Sequence, residues 1–203
     1  MKTIYLIRHS KAEKYNIWYK HSSLQTKNEK KNLSKEGKTI AKDILNKKEY
    51  DKIEEIYSSN YNRAFQTAKI LAKRLKLKVK IDNNFGERKI GIKTWDEFPE
   101  DFFEHQFKDY DFKLKNGESL NNVKERTFKS LKSILNNSQY NTIAIFSHSK
   151  AIMSLLSIWC DIKYKSTFSF KNKIFFNGEI GYCDTFKLEI DDNNNLISIE
   201  NVK

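Results

Sequence analysis

Lys2-Thr3-Ile4-Tyr5-Leu6-Ile7-Arg8-His9-Ser10 opens with an apolar run rich in β-branched and aromatic residues and ends abruptly in an arginine and a histidine. A run of this kind reads as a buried strand. Ligands of open α/β sheets bind outside the carboxyl ends of the strands, so Arg8 and His9 stand where chemistry is expected. Thr142-Ile143-Ala144-Ile145-Phe146-Ser147-His148-Ser149 repeats the pattern, a second apolar strand delivering a histidine. The chain has four histidines, and two of them close strands. The other two, His21 and His105, lie in polar, charge-rich segments with no strand ahead of them and read as solvated surface residues.

Outward from these strands the periodicity alternates. Leu33-Ser34 marks a helix start with Ser34 as N-cap, and that helix would bury Ile40, Ala41, Ile44 and Leu45. Residues 53–58 read as a strand. Ala64, Ala68, Leu71 and Leu75 recur at helical spacing, giving an amphipathic helix over residues 61–75. Val79 and Ile81 suggest a short strand. Leu120, Val123, Thr127, Leu131, Ile134 and Leu135 define a long helix ending near Asn136-Asn137. A helix through Met153 and Leu156 follows the His148 strand, and strands at 183–190 and 196–202 close the chain around a turn at Asp191 to Asn195. Strands alternating with helices predict an α/β domain with a largely parallel sheet.

No repeat or linker is visible, so residues 1–203 are expected to form a single domain. Two segments lack periodicity. Residues 11–32 are too charged to pack and are expected to be a loop or lid, with Trp18, Tyr19, Lys20 and His21 near its middle. Residues 82–118 carry Gly86, Gly91, Pro99, Gly117 and many aromatics. They are expected as an insertion or lid over the site and the sheet edge, outside the core.

The net charge is +12, carried mostly by lysines dispersed along the chain. Dispersal argues against a nucleic-acid-binding face, while the positive field favours any phosphorylated ligand. Cys160 and Cys183 are too few for a disulfide framework or a metal cluster, and read as core fillers. The first apolar run is too short for a secretory signal, and no stretch approaches a membrane span, so a cytoplasmic location without membrane contact is expected.

A third strand end joins the two histidines. Ile56-Tyr57-Ser58-Ser59 leads through Asn60-Tyr61-Asn62 to Arg63, in the first turn of its helix. A cation there opposes the helix dipole. It has a reason to be there if Arg63 and the helix N-terminus face one bound anion together.

With these elements in hand, the chain resembles the histidine phosphatase superfamily, the phosphoglycerate mutase-like enzymes. Arg8-His9 after the first strand looks like the family signature. "LSKEG" at 33–37 matches the start of its first helix, and "SSNYNRAFQTAKILA" at 58–72 is similar to its arginine-bearing helix. "FGERKIG" at 85–91 resembles the segment carrying the acid, "NGESLNNVKER" at 116–126 the Gly-Glu-Ser element with its trailing Arg126, and "IFSHS" at 145–149 the second-histidine motif. Six motifs fall in family order. The residue after each histidine is commonly glycine in the family and is here Ser10 and Ser149. The family's asparagine after the first motif has no match in register, Asn16 being out of step.

The resemblance implies a three-layer sandwich with helices on both faces of the sheet, and a phosphomonoesterase working through a phosphohistidine on His9. Arg8 and Arg63 offer permanently charged forks for the phosphoryl oxygens, and His148, if protonated, a third donor. Nearby arginines help keep His9 neutral for attack. Glu87 is the candidate general acid and then base, with Glu118 as its rival. Ser10 and Ser149 either crowd the site or donate to the phosphate. No cofactor and no metal are implied, and the partner is a small phosphorylated substrate. A metal hydrolase built on His9, His148 and Glu87 would place two arginines beside a dication and has no closely spaced ligand pair. A basic nucleic-acid-binding module, a phosphate-binding relative without turnover, and a phosphoglycerate mutase are the other readings. The mutases of the family typically carry a longer insertion that shields the phosphohistidine from water; this chain resembles the shorter phosphatases. Substrate identity and oligomeric state are not legible.

Overall fold

The opening apolar run forms β1 (Lys2–Arg8), an interior strand of a six-stranded sheet in a computed structural model that describes residues 1–14 and 22–202. With β2 (Glu55–Ser58), β3 (Val79–Ile81), β4 (Thr142–Ser147), β8 (Thr185–Ile190) and β9 (Leu196–Val202), the strand order is β3-β2-β4-β1-β8-β9. The first four of that order run parallel, and β8 and β9 are antiparallel additions at one edge. In the β1–β4 register Arg8 lies opposite Ser147, so His9 and His148 leave the sheet side by side. The amide of His9 donates to the Ser147 carbonyl at 3.0 Å, and that of Ser59, after β2, to the Phe146 carbonyl at 3.0 Å. Three strand ends are thereby brought level.

Both faces of the sheet are covered, which explains why β1 and β4 read as unbroken apolar runs. Ile4, Leu6, Ile143 and Ile145 pack into one core with α5 (Leu120–Asn137) and α6 (Ser149–Leu156). Their neighbours Tyr5, Ile7, Ala144 and Phe146 face the opposite core, with α2 (Lys35–Leu45) and α3 (Asn62–Leu75). The Ser34 side chain caps α2 by accepting from the Gly37 amide at 2.9 Å. Ser119 and Asn122 cap α5 reciprocally. Cys160 and Cys183 are buried free thiols. Among the described residues no helix is long and apolar enough to cross a membrane.

Four features depart from the sequence expectations. The segment expected as a polar loop at 11–32 contains a short helix, α1 (Leu24–Glu29), capped by Ser23 and burying none of its residues, so it carries no apolar period to read. Trp18, Tyr19, Lys20 and His21, and the out-of-step Asn16, lie outside the described residues. The segment 82–118 is not wholly outside the core. Phe85 is buried in the core cluster beneath α5, and α4 (Phe102–Lys108) buries Phe102 and Gln106. A second, three-stranded antiparallel sheet, β5 (Asp161–Ile162), β6 (Thr167–Phe170) and β7 (Lys173–Asn177), went unread, because its strands are short and interleaved with lysines. It docks through Phe168 and Phe176 onto Phe186 of β8. Finally, β8 begins at Thr185 because Cys183 holds a φ of 58°, incompatible with a strand.

One close backbone approach fixes the segment that carries Glu87. Gly91 has a φ of 88°, and a Cβ on it would meet the Gly117 nitrogen at 2.2 Å. A Cβ on Gly117 would meet the Ile90 carbonyl at 2.3 Å. Only paired glycines let these two strips of chain lie in contact.

Candidate active site

His9 is buried at the end of β1, 7% exposed. Its Nδ1 lies 2.7 Å from the Ser10 carbonyl, which can only accept, so Nδ1 carries the hydrogen. Nε2 then holds the lone pair, and Arg63 Nε donates to it at 2.9 Å. Burial, then the charge of Arg63, pushes the imidazole well below its ordinary range, and Arg8 adds to this against the opposing bond to Ser10. The ring is neutral, with its unprotonated nitrogen facing a guanidinium.

His148 is fully buried as the N-cap residue of α6, its ring 5.0 Å from that of His9 and 4.7 Å from that of Tyr61. Ser59 Oγ lies 2.8 Å from its Nε2 and accepts from the Tyr61 amide at 3.3 Å. The Ser59 contact engages Nε2 whichever of the two atoms donates, and Nδ1 is the other ring position. That Nδ1 is buried and has no hydrogen-bond partner among the described residues. Burial, then Arg63, His9, Arg126 and Arg8, keep the His148 pKa well below the usual range. His148 is therefore neutral in the resting protein, so the protonation on which its role as a third donor was conditional is not met there.

Arg63 stands in the first turn of α3, 5% exposed, over the Tyr61 ring, with Nη1 on the Asn28 carbonyl. Arg8 is half-buried, its Nη1 on the Ile180 carbonyl and its guanidinium over Tyr182. Its Nε is buried without a partner among the described residues. Unpartnered buried donors cost about 1–3 kcal/mol each. An anion accepting from Arg8 and His148 would offset both.

Glu87 reaches the same helix end as His148. Its Oε1 accepts from the Ala151 amide at 3.2 Å and its Oε2 from the Lys150 amide at 3.3 Å, in the first turn of α6. Ser147 Oγ, donating to the Phe85 carbonyl at 2.7 Å, ties the segment to the end of β4. Arg126 holds it from the other side, with Nη1 on the carbonyls of Asn84 and Gly86 and Nη2 on that of Glu87 at 3.3 Å. Glu118, the rival acid, is engaged elsewhere. Arg126 grips it through Nε at 2.8 Å and Nη2 at 3.0 Å, and the Lys89 amide donates to it at 2.9 Å. Burial would raise its carboxyl, but Arg126 and Lys89 hold it below the usual carboxylate range.

The serines after the histidines behave differently from each other. Neither has a positive φ, so the backbone does not demand glycine. Ser10 is fully buried, its hydroxyl donating to the Gly37 carbonyl at 2.7 Å and its amide to Thr67 Oγ1 at 3.1 Å. It clamps the end of β1 to α2 and α3, and its hydroxyl is turned away from the role of phosphate donor. Ser149 opens α6 and lines, with Arg8 and Lys150, a cavity of about 320 Å³. His105 is exposed beside Asp101 at 3.3 Å, as a surface residue should be. Ser59, Tyr61 and Thr67 escaped the sequence reading as site residues. The signal for Ser59 was its place at the end of β2, level with His9 and His148.

Two apolar parallel strands bring paired histidines, and with them arginines from a strand end and a helix start, to one edge of an α/β sheet, where ligands of such sheets bind. The sequence matches the model of the histidine phosphatase superfamily (branch 1) over residues 4–196, and the chain belongs to that family. Similar solved structures include a mycobacterial glucosyl-3-phosphoglycerate phosphatase in complex with inorganic phosphate. It shows 15% identity and a TM-score of 0.74, over 100% of this chain and 96% of that one. Bacillus stearothermophilus YhfR is 19% identical with a TM-score of 0.70, over 97% and 94% of the two chains. A putative α-ribazole-5′-P phosphatase from Escherichia coli is 17% identical with a TM-score of 0.68, over 99% and 96%. No curated protein sequence matches the chain.

Proposed function

We propose that the protein hydrolyses a small phosphorylated metabolite through a phosphohistidine on His9, with Glu87 as general acid and then base. One observation carries this reading: His9 is buried and neutral, with Nε2 facing Arg63, while Arg8 Nε and His148 Nδ1 stand nearby, buried and without partners among the described residues. A phosphomonoester dianion needs such donors around its non-bridging oxygens before a nucleophile can approach. Family membership and the phosphatases among the similar structures support the reaction class.

In the forward half, the phosphoryl group is held by Arg8, Arg63 and His148 Nδ1–H. Arg63 Nε exchanges the His9 lone pair for a phosphoryl oxygen, and Nε2 attacks phosphorus as the bond to the leaving oxygen breaks. Glu87 delivers a proton to that oxygen. In the second half the Glu87 carboxylate takes a proton from water, the water oxygen bonds to phosphorus, and the P–N bond breaks to release phosphate and neutral His9. Residues 1–203 act as one unit in this reading, with 82–118 supplying the acid and covering the site.

Phosphoglycerate mutase-type transfer uses the same residues, so the fate of the intermediate separates the two. Rapid-quench labelling with a phosphorylated substrate should show a label on His9 that decays to inorganic phosphate and is lost in His9→Ala. A label long-lived in water that discharges mainly onto added phosphoglycerate would establish the mutase instead.

A further inference from the structure

We propose that the cavity walled by α1 and residues 88–95 selects phosphomonoesters whose leaving group carries additional phosphate groups and a flat apolar ring; this rests on the phosphatase reading above. The cavity measures about 820 Å³, in the range of small-molecule sites. Its wall carries the lysines Lys14, Lys27, Lys31, Lys89 and Lys93 and, among the described residues, no carboxylate. What sets this wall apart is that five lysines share one lining with no Asp or Glu among the described residues. None of the five makes an ion pair among the described residues, and only Lys89 acts on a nearby carboxylate, Glu118, which Arg126 already grips. Like charges gathered around one concavity repel one another and focus a positive field into it. A single phosphoryl group, already met by Arg8 and Arg63, does not offset five further cations.

Part of the wall is apolar. Leu24, Ile90 and Ile92 contribute aliphatic surface, and the Trp95 indole is 63% exposed. An exposed indole beside aliphatic side chains suits a planar ring, which stacks on it while keeping its own polar edge in water. Lysines and an indole in one cavity fit a ligand that is polyanionic at one end and aromatic at the other.

The cavity also lies next to the reacting groups. Asn28, in its wall, accepts from Arg63 through its carbonyl, and Gln25, also in its wall, donates to the Tyr61 hydroxyl at 2.7 Å. Tyr61 in turn packs on His148. Lys31 is held below the usual lysine range by burial and then by Arg63, two cations drawn together on the rim nearest the site. The smaller cavity beside Arg8 lacks this asymmetry, since Glu179 stands in its wall.

The test is a two-by-two comparison on the full chain: ribose 5-phosphate, ribose 1,5-bisphosphate, adenosine 5′-monophosphate and adenosine 3′,5′-bisphosphate. The extra phosphate should raise kcat/KM about tenfold, which is about 1.4 kcal/mol. That advantage should shrink as salt is raised. The Lys89→Met/Lys93→Met pair should lower the bisphosphate-to-monophosphate ratio, and Trp95→Ala the adenosine-to-ribose ratio. A binding arm uses turnover-free His9→Ala protein, in which adenosine 3′,5′-bisphosphate should quench tryptophan fluorescence saturably, and the quench should vanish when Trp95→Phe is added. Turnover with equal kcat/KM on all four substrates overturns the inference and leaves the phosphatase reading standing. Saturable quench at Trp95 without turnover of any substrate by the wild type does the reverse. Neither turnover nor quench sinks both.

Discussion

Arg63 Nε donates to His9 Nε2 at 2.9 Å, so in the resting protein a guanidinium sits on the lone pair that would attack phosphorus. The contact disfavours the imidazolium, because a second positive charge at Nε2 would face Arg63 in a buried site. Together with the Nδ1 bond to the Ser10 carbonyl it fixes one tautomer. A phosphoryl oxygen is a better acceptor for the guanidinium than a neutral ring nitrogen, so in the proposed reaction a bound phosphoryl group would free the His9 lone pair.

Removing that cation should therefore act twice. Arg63→Met is expected to lower kcat/KM by about 10²–10³, the range for loss of one charge-stabilising donor. It should also move the His9 titration upward, toward the ordinary imidazole range, because Arg63 is the second contributor to its depression after burial. Nitrogen NMR of the histidine rings reads the second effect directly. A variant that loses activity while its His9 titration stays in place would show that Arg63 serves the phosphate alone.

Both site histidines are depressed by burial first, which ties stability to pH in one direction. Below an unfolded value of about 6.5 the unfolded chain binds protons that the folded chain refuses, so unfolding becomes easier as pH falls. The stabilisation is complete above that value and is lost on the way down toward the folded pKa, at up to about 1.4 kcal/mol per unit for each ring. Thermal unfolding should accordingly show a Tm that falls between pH 7 and pH 5. His148→Asn should flatten that slope while lowering Tm at pH 7. An unchanged slope in the variant would mean that His148 titrates alike in both states.

Positive charge from arginines also bears on metal dependence. Arg8 and Arg63 supply permanent cations at the ends of β1 and at the start of α3, and the His9 nitrogen needs no ionisation to attack. Hydrolysis of an aryl phosphate is expected to proceed at the same rate with chelator as without. A rate abolished by chelator and restored by one divalent ion would refute this.

How far the sequence disclosed this arrangement follows from where its information lies. β1 and β4 were legible because strands buried on both faces must be apolar throughout, and each ended in a residue that does not belong in a core. α2, α3 and α5 were legible from their burial period and from the Ser34 cap. Phe85 could not be told from the aromatics of 95–112, because one buried ring in an irregular segment has no period. The β5–β7 sheet was hidden for a similar reason, its inward residues being too few to alternate visibly. In the site, Arg8, His9, Arg63 and His148 announced themselves by chemistry at an element end. Ser59 and Thr67 did not, since their work lies in orienting a neighbour, and a hydroxyl has many uses.

Arg126 shows what such an orienting residue does for the acid. One guanidinium holds the Glu118 carboxylate and the carbonyls of Asn84, Gly86 and Glu87, so the chain entering Glu87 is fixed against α5. The Glu87 carboxylate is then held at the start of α6. If Glu87 is the leaving-group acid, Glu87→Gln should lose far more activity on an alkyl phosphate than on nitrophenyl phosphate, whose leaving group departs without a proton. Arg126→Met leaves the carboxyl in place chemically and loosens only its support. It should therefore reproduce the same leaving-group bias at reduced size, about tenfold or more on the alkyl substrate, where general-acid catalysis is worth about 10²–10⁴. Adding it to Glu87→Gln should cost little further, since the two act through one group. Steady-state kinetics on the paired substrates check all three variants. Equal losses on both substrates in Arg126→Met would mark the residue as a support of the fold alone, and equal losses in Glu87→Gln would take the acid role away from Glu87.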